Sequence, residues 1–242
     1  MNGLFQSLKE NLVFFLEFLL IVAAIFAVAY VVEKIIRKKN QDTSRVLSTR
    51  MVVVIGMFSA IAAVLMLLEI PLPFAPSFYK LDFSELPALI GAFAFGPVAG
   101  VMIEFVKILL KLLIKGTSTA FVGELANFVV GCSFIVPAEL IYLVKKNRKN
   151  AVIGCVVGTL VLTLVGTSFN AVYLLPKFAE MFGMPMDVLI GMGTKLNPNI
   201  TNIFTFVLFA VAPLNLIKGF SDSLITLLIY KRLSPIIKST KK

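Results

Sequence analysis

The chain has 242 residues, of which 59% are hydrophobic and only 15% charged, and its mean hydropathy is +0.96. So large an apolar fraction excludes a soluble globular domain, which needs charge over its whole water-facing surface. The net charge of +10 does not indicate nucleic-acid binding, because the basic residues form three clusters beside long apolar runs, so we expect a protein embedded in a lipid bilayer without a nucleic-acid partner.

The first two apolar runs predict transmembrane helices from about Asn11 to Ile36 and from about Met51 to Ile70. Between and beside them lies the first basic cluster: Lys34, Arg37, Lys38, Lys39, Arg45 and Arg50. Because Lys and Arg collect in short cytoplasmic loops, we expect this segment in the cytoplasm and the N-terminus outside. The prediction is one additional helix with a basic cytoplasmic linker over residues 1–47, followed by a membrane domain over residues 48–238.

A proline-rich segment follows the second helix. Its three prolines, all within residues 71–77, cannot continue a helix, so we expect an outer loop that reaches Phe83, with Ser84 as an N-cap. The apolar run 85–113 would measure roughly 43 Å at ~1.5 Å per residue, against a hydrocarbon core of about 30 Å. Since Gly96 and Pro97 lie near its centre, we predict two short helices that meet at residues 96–100.

Three further segments complete the predicted membrane domain. Residues 119–144 and 151–175 predict spans, the second closed by Pro176, and residues 200–230 predict the last span. Residues 177–199 are less apolar and predict an outer loop with a short interfacial helix. The second basic cluster follows the first of these spans and the third follows the last: Lys145, Lys146, Arg148 and Lys149, then Lys231, Arg232, Lys238, Lys241 and Lys242. Six helices after the additional one place every cluster, and the C-terminus, in the cytoplasm.

Several kinds of chemistry are absent from the sequence. The dipeptide Gly-Lys does not occur, which excludes a P-loop, and the lack of histidine excludes HExxH proteases and histidine triads. Cys132 and Cys155 both lie inside apolar segments, so neither a disulfide nor a zinc site is indicated. We expect no catalytic residue and no metal ligand; an intramembrane enzyme that uses carboxylates or serines is the alternative.

Polar side chains inside the predicted spans are the candidate functional residues. A charge at the bilayer centre costs about 2 to 3 kcal/mol on insertion scales, so each such residue needs a reason. The candidates are Glu124, Asn127, Asn170, Asn215, Lys218 and Asp222. The last three share one helix face, and asparagine amides both donate and accept, as the polar edge of a heteroaromatic ligand requires. The alternatives are hydrogen bonds between helices and a private ion pair of Lys218 with Asp222.

Two other patterns have more than one interpretation. Lys107, Lys111 and Lys115 are spaced four residues apart, which fits snorkelling, with Glu104 pairing to Lys107, or attraction of an anionic solute or phosphate. On the second helix the small residues allow close helix approach, either inside the bundle or with a partner subunit. They are Gly56, Ser59, Ala60 and Ala63.

Several motifs resemble one family of transport proteins. Residues 80–91 (KLDFSELPALIG) and 95–100 (FGPVAG) are similar to the signature of the substrate-binding S components of energy-coupling factor (ECF) vitamin transporters. Residues 213–219 (PLNLIKG) and 230–235 (YKRLSP) resemble the riboflavin-specific branch. Asn170 with LLP at 174–176, and FGMP at 182–185, are also similar to that branch, and the resemblance covers about residues 48–238.

The resemblance implies an all-α integral membrane fold, a six-helix S-component bundle, here preceded by the additional helix. Such a component captures its vitamin from outside, and a transmembrane coupling subunit with two ATP-binding-cassette ATPases drives its release inward. The ligand would be riboflavin, with FMN as a second ligand, and no cofactor beyond this transported flavin is implied.

The resemblance also assigns residues. Asn170, Asn215 and Lys218 would contact the ligand, and the loop residues Leu81, Asp82, Phe83 and Ser84 would cover it, with Leu81 and Phe83 against the ring. We add Glu124 and Asn127 as candidate ligand contacts, and Gly56, Ala60 and Ala63 would meet the coupling subunit.

The additional helix has no counterpart in the family's six-helix pattern. It either faces lipid or contacts another partner. Two alternative functions stay open: an S component for another vitamin such as pantothenate, folate or thiamine, and a self-sufficient channel or secondary transporter.

Overall fold

The computed structural model describes residues 11–41 and 49–239, without the side chains of Arg50 and of residues 230–239. The helices are α1 (Leu12–Lys39), α2 (Thr49–Leu67), α3 (Glu85–Phe95), α4 (Pro97–Lys115), α5 (Val122–Val144), α6 (Arg148–Phe169), α7 (Leu175–Met181), α8 (Met186–Thr194), α9 (Ile203–Phe206) and α10 (Ala212–Ser239). The predicted domain boundary after residue 47, Arg45 and the third basic cluster's side chains lie outside this description.

The fold is all-α and membrane-spanning, as predicted. Among the described residues four helices are long and apolar enough to cross a bilayer: α1, α5, the continuous helix Arg148–Met181 and the helix Ile203–Ile229. The shorter helices α2, α3 and α4 pack beside them. One end of this bundle carries Arg37, Lys38, Lys39, Lys145 and Lys146, and we call it the basic end.

The break between α3 and α4 confirms the prediction at Gly96 and Pro97. Gly96 has φ of +112°, a conformation that L side chains rarely adopt, and its amide donates to Ala92 O to close α3. Pro97 then takes the first position of α4, where a backbone amide would have no intrahelical partner. The two helices therefore run as separate rods.

The prediction that Pro176 ends a span is wrong. The helix continues to Met181 through a π-helical turn, Asn170–Leu174, in which Leu175 N–H donates to Asn170 O five residues back. This wider turn accommodates the ring of Pro176, which would clash with a carbonyl in a regular helix. A second π turn, Val207–Val211, precedes Pro213 in the same way.

The outer loop after α2 contains structure that the sequence did not predict. Strands β1 (Ile70–Pro71) and β2 (Lys80–Leu81) form a small antiparallel hairpin, with Ile70 opposite Leu81. The segment between them packs through Ala75 into the cluster that includes Phe206 and Val211. In the second loop, α8 is the short helix that was predicted there.

Candidate substrate-binding site

A cavity lies at the end of the bundle opposite the basic end. Its free space is about 840 Å³, part of it open to solvent. The apolar wall comes from the outer loop after α2, from α5 and from the two long helices Arg148–Met181 and Ile203–Ile229. Its residues are Phe78, Tyr79, Val122, Val130, Leu174, Leu175, Phe178, Val211 and Leu214. The polar lining includes Glu85, Asn127, Asn170, Asn215 and Lys218. The structure thus brings the three main candidates, Asn170, Asn215 and Lys218, to one place.

Asn170 opens the first π turn and has its hydrogen bonds satisfied within the protein. Its Oδ1 accepts from the Tyr79 hydroxyl at 2.6 Å, and its Nδ2 donates to Gly166 O at 2.7 Å. Burial raises the pKa of Tyr79, so this hydroxyl stays protonated and able to donate. Asn170 therefore joins the outer loop to the wall of the cavity.

Asn215 differs from Asn170 because its amide is not satisfied. It is 4% exposed, and its Nδ2 has no hydrogen-bond partner among the described residues. The amide lies against Gly166, where a Cβ atom would come within 2.5 Å of Nδ2. An unmade bond at a buried donor costs about 1 to 3 kcal/mol, so Asn215 presents a donor to whatever fills the cavity.

Lys218 forms two ion pairs across the cavity, and neither is with Asp222. Its Nζ lies 3.1 Å from Asp82 Oδ2 and 2.8 Å from Glu85 Oε2. Burial opposes ionisation of Asp82, but the ammonium groups of Lys218 and Lys107 and the hydrogen bonds from Ser84 together outweigh it, so the pKa of Asp82 lies below its usual value. Asp222 is fully buried, and neither of its oxygens has a hydrogen-bond partner among the described residues.

Lys107 binds Glu85, the carboxylate that also pairs with Lys218. Its fully buried Nζ donates to Ser84 Oγ at 2.8 Å, to Glu85 Oε1 at 3.0 Å and to Glu104 Oε1 at 2.9 Å. The predicted i, i+3 pair with Glu104 is present. Ser84 occupies the predicted N-cap position of α3, but its side chain makes no cap bond, and its hydroxyl accepts from Lys107 instead. Glu85 thus bridges two ammonium groups, Lys107 and Lys218.

Glu124, which the sequence suggested as a ligand contact, does not line the cavity. Its carboxylate binds Lys111 and accepts from Thr117 Oγ1 at 3.0 Å and from Thr119 Oγ1 at 3.1 Å. These three groups supply the hydrogen bonds of the Glu124 carboxylate within the protein. Asn127 does line the cavity, and its Nδ2 donates to Gly123 O at 2.9 Å in its own helix.

Lys115, the last lysine of the row on α4, is exposed and lies beside Glu69. It and Lys80 both bind Glu69 Oε2, at 2.9 and 2.6 Å. Partial burial raises the pKa of Glu69, but the hydrogen bonds from Lys80 and Lys115 outweigh it, so the pKa lies below its usual value. A second cavity adjoins the first here and is lined by Lys80, Lys111 and Lys115 together with Glu69 and Asp82.

The loop residues that line the cavity differ from those that the sequence suggested for contact with the ring. Leu81, which is buried, and Phe83 do not line the main cavity, whereas Phe78 and Tyr79 do. Phe78 stacks on Phe178, with ring centroids 5.3 Å apart. The two aromatic residues directly before the signature motif were the available signal.

The small residues of α2 divide between two environments. Gly56 and Ala60 are exposed, and a Cβ atom at Gly56 would meet nothing within 4 Å. Ala63 is 2% exposed and packs inside the bundle, so it is not accessible to a partner. Only Gly56 and Ala60 remain as candidates for an external contact.

Comparison with known proteins identifies the family. A family model described as "ECF transporter, substrate-specific component" matches residues 50–230. The chain belongs to this family. It is therefore a multi-pass membrane component of a transporter and not an enzyme, and α1 lies before the matched region.

Individual relatives agree with this assignment. The chain is 36% identical to riboflavin transporter RibU of Staphylococcus aureus, over 84% of this chain and 97% of that protein. It is 32% identical to riboflavin transporter FmnP of Bacillus subtilis, over 81% and 97%. A solved S component of a bacterial ECF transporter superposes with a TM-score of 0.61 at 35% identity, covering 78% of this chain and 98% of that one.

Proposed function

We propose that this chain captures riboflavin from the outside and delivers it inward with a transmembrane coupling subunit and two ATP-binding-cassette ATPases. Its relatives in Staphylococcus aureus and Bacillus subtilis are named riboflavin transporters and match over almost their whole length. In this proposal residues 48–238 form the transport domain, the N-terminus lies outside, and the basic end faces the cytoplasm.

The observation that carries the ligand assignment is the convergence of Asn170, Asn215 and Lys218 on one largely apolar cavity. A flavin is a flat apolar body with one edge that both donates and accepts hydrogen bonds. Asn215 Nδ2, which has no partner in the part of the chain that the structure describes, supplies a donor for that edge. Lys218 uses two of its three protons on Asp82 and Glu85 and supplies another donor. The aromatic pair Phe78 and Phe178 supplies a face for the ring.

Riboflavin titration of the purified protein tests the assignment. We expect the fluorescence of added riboflavin to be quenched at a stoichiometry of one, and mass spectrometry to find riboflavin in the purified protein. Thiamine, folate and pantothenate serve as competitors. A colourless protein that quenches nothing, or one from which another vitamin displaces the flavin, contradicts the proposal.

FMN is a second candidate because the adjoining cavity carries three lysines. Each of them is already paired: Lys80 and Lys115 with Glu69, and Lys111 with Glu124. A phosphate has to compete with these carboxylates, so we expect riboflavin to bind more tightly than FMN. Lys115→Gln should change the affinity for FMN and leave that for riboflavin unchanged; an equal effect on both places Lys115 elsewhere.

For the partner we propose the α2 face that contains Gly56 and Ala60. Small exposed residues let two helices approach closely in a membrane. Ala60→Leu should leave riboflavin binding intact and reduce uptake by cells that supply the coupling subunit and ATPases. Ile61→Leu, exposed on α2 but about 120° around the helix from Gly56 and Ala60, should not reduce uptake. Normal uptake by Ala60→Leu excludes this face as the contact with the coupling subunit.

Reconstitution of the chain alone in vesicles tests the alternative function. Riboflavin flux without any ATPase supports a self-sufficient transporter instead.

A further inference from the structure

Helix α1 lies before the region that the family model matches, yet its last turns meet the break between α3 and α4. Glu33 is fully buried, and its Oε2 accepts from Val98 N–H at 2.9 Å. Val98 is the second residue of α4, so its amide has no partner within that helix. A residue of α1 therefore satisfies an open donor at the start of α4.

Arg37, one turn after Glu33, binds the other side of the break, at the C-terminal end of α3. It donates to Phe95 O at 3.0 Å, and its Nε donates to Glu33 Oε1 at 2.7 Å. Phe95 is the last residue of α3, where carbonyls lack intrahelical partners. The signs are favourable at both places, since a carboxylate suits a helix N-terminus and a guanidinium suits a C-terminus.

Two further contacts show how closely α1 fits here. A Cβ atom at Gly96 would lie 2.6 Å from Glu33 Oε1, so the glycine that permits the break also leaves room for the carboxylate. Asn40 Nδ2 donates to Leu143 O at 3.2 Å, near the end of α5. The end of α1 thus supplies polar partners to three other helices.

We infer that α1 is a built-in cap of the broken helix, in which Glu33 and Arg37 fix the facing ends of α4 and α3 and so position the substrate site. α4 carries Lys107, which holds Glu85, and Glu85 holds Lys218 at the cavity. The link to the cavity rests on the proposed riboflavin function. The capping itself does not.

Single substitutions test the cap against matched neighbours. Glu33→Ala and Arg37→Gln should each lower the unfolding temperature of the purified protein by about 3 °C or more, as the loss of a helix cap does in a chain of this size. Lys34→Gln and Lys38→Gln, exposed charges on the same turns, are the controls and should change it by less than about 1 °C. Equal behaviour of the buried and exposed positions overturns the inference.

A charge reversal separates capping from a simple ion pair. The double variant Glu33→Arg with Arg37→Glu restores opposite charges but places a cation at the N-terminus of α4. We expect it to be no more stable than the single variants, whereas the sign-preserving Glu33→Asp with Arg37→Lys should recover at least half of the loss. A reversed pair as stable as the wild type overturns the cap.

Riboflavin affinity, measured well below the unfolding temperature of every variant, tests the link to the site. Glu33→Ala should raise Kd at least about threefold, Glu33→Asp less, and Lys38→Gln not at all. If the wild type binds no riboflavin, the proposed function fails while the stability results still decide the cap. If it binds and the stability falls with Kd unchanged, the link from cap to cavity is overturned.

Discussion

The two long helices on either side of the cavity, Arg148–Met181 and Ile203–Ile229, share a local design. Each contains a π turn that ends two residues before a proline, Pro176 in the first and Pro213 in the second. They are nevertheless held differently. The first side is fixed by neutral hydrogen bonds of Asn170 with Tyr79 and Gly166, and the second by ion pairs of Lys218.

This difference assigns separate tasks to two similar side chains. Asn170 is part of the structure before any ligand binds, because both ends of its amide are used. Asn215 has a buried amide nitrogen without a partner among the described residues, so a ligand that accepts a hydrogen bond removes the cost of this unmade bond. The ionic side should respond strongly to removal of a charge, and the neutral side to removal of a hydrogen bond.

The largest expected effect is on the ionic side. Lys107→Met leaves Glu85 and Glu104 buried without this cation, and loss of one partner from a buried ion pair lowers the free energy of unfolding by about 3 to 5 kcal/mol. Chemical denaturation of the purified protein measures it. Lys111→Met is the control, since Glu124 keeps two threonine donors and should tolerate the change better. Equal losses contradict a special role for Lys107.

The two asparagines should separate stability from affinity. Asn215→Ala should weaken riboflavin binding by about 1 to 3 kcal/mol without lowering the free energy of unfolding, since Asn215 Nδ2 makes no hydrogen bond among the described residues. Asn170→Ala should lower both quantities, because Tyr79 and Gly166 lose a partner. Fluorescence titration and denaturation provide the two measurements. If both variants lose stability equally, the distinction between the two sides is wrong.

A smaller effect is expected where the two helices touch. Gly166→Ala places a methyl group 2.5 Å from Asn215 Nδ2, so the amide must move, which we expect to weaken riboflavin binding by about 1 kcal/mol. Gly56→Ala adds the same group where nothing lies within 4 Å and should leave binding unchanged. Unaltered affinity in Gly166→Ala shows that the amide position does not matter.

The smallest effect concerns pH. The pKa of Asp82 is lower in the folded protein than its ordinary value of about 4. Above about pH 4 the pairing of Asp82 with Lys218 therefore stabilises the loop fully, and this stabilisation is lost only as the pH falls through the lower pKa of the folded protein. Riboflavin affinity should therefore change less than about twofold between pH 5 and 8. A steep fall between pH 7 and 5 that Asp82→Asn removes contradicts this assignment.

Much of the fold could be predicted because the signals are local. The break at Gly96 and Pro97 depends on the backbone preferences of those two residues, and the structure has it there. The end at Pro176 was wrong because a proline is compatible with a helix when a π turn precedes it, and that turn has no strong sequence pattern. The hairpin was missed because strands of two residues carry no periodicity.

The site was predictable where polarity is unusual and unpredictable where partners come from the fold. Asn170, Asn215 and Lys218 stood out as polar groups in apolar runs, and the structure places all three at one cavity. Glu124 stood out for the same reason, but the fold brings Lys111 and two threonines to it. Tyr79 was missed because an aromatic residue in a loop is an ordinary feature of membrane proteins.

The attachment of α1 has a consequence for movement in the bilayer. Polar contacts tie its final turns to α3, α4 and α5, while Phe14, Phe18 and Val22 lie in one apolar cluster with α4 and α5. These contacts attach α1 to the region that the family model matches, so a rigid-body movement of residues 50–230 in the bilayer carries α1 with it. On that side of the bundle the lipid then contacts α1. The surfaces of α4 and α5 that α1 covers stay shielded from acyl chains during such a movement.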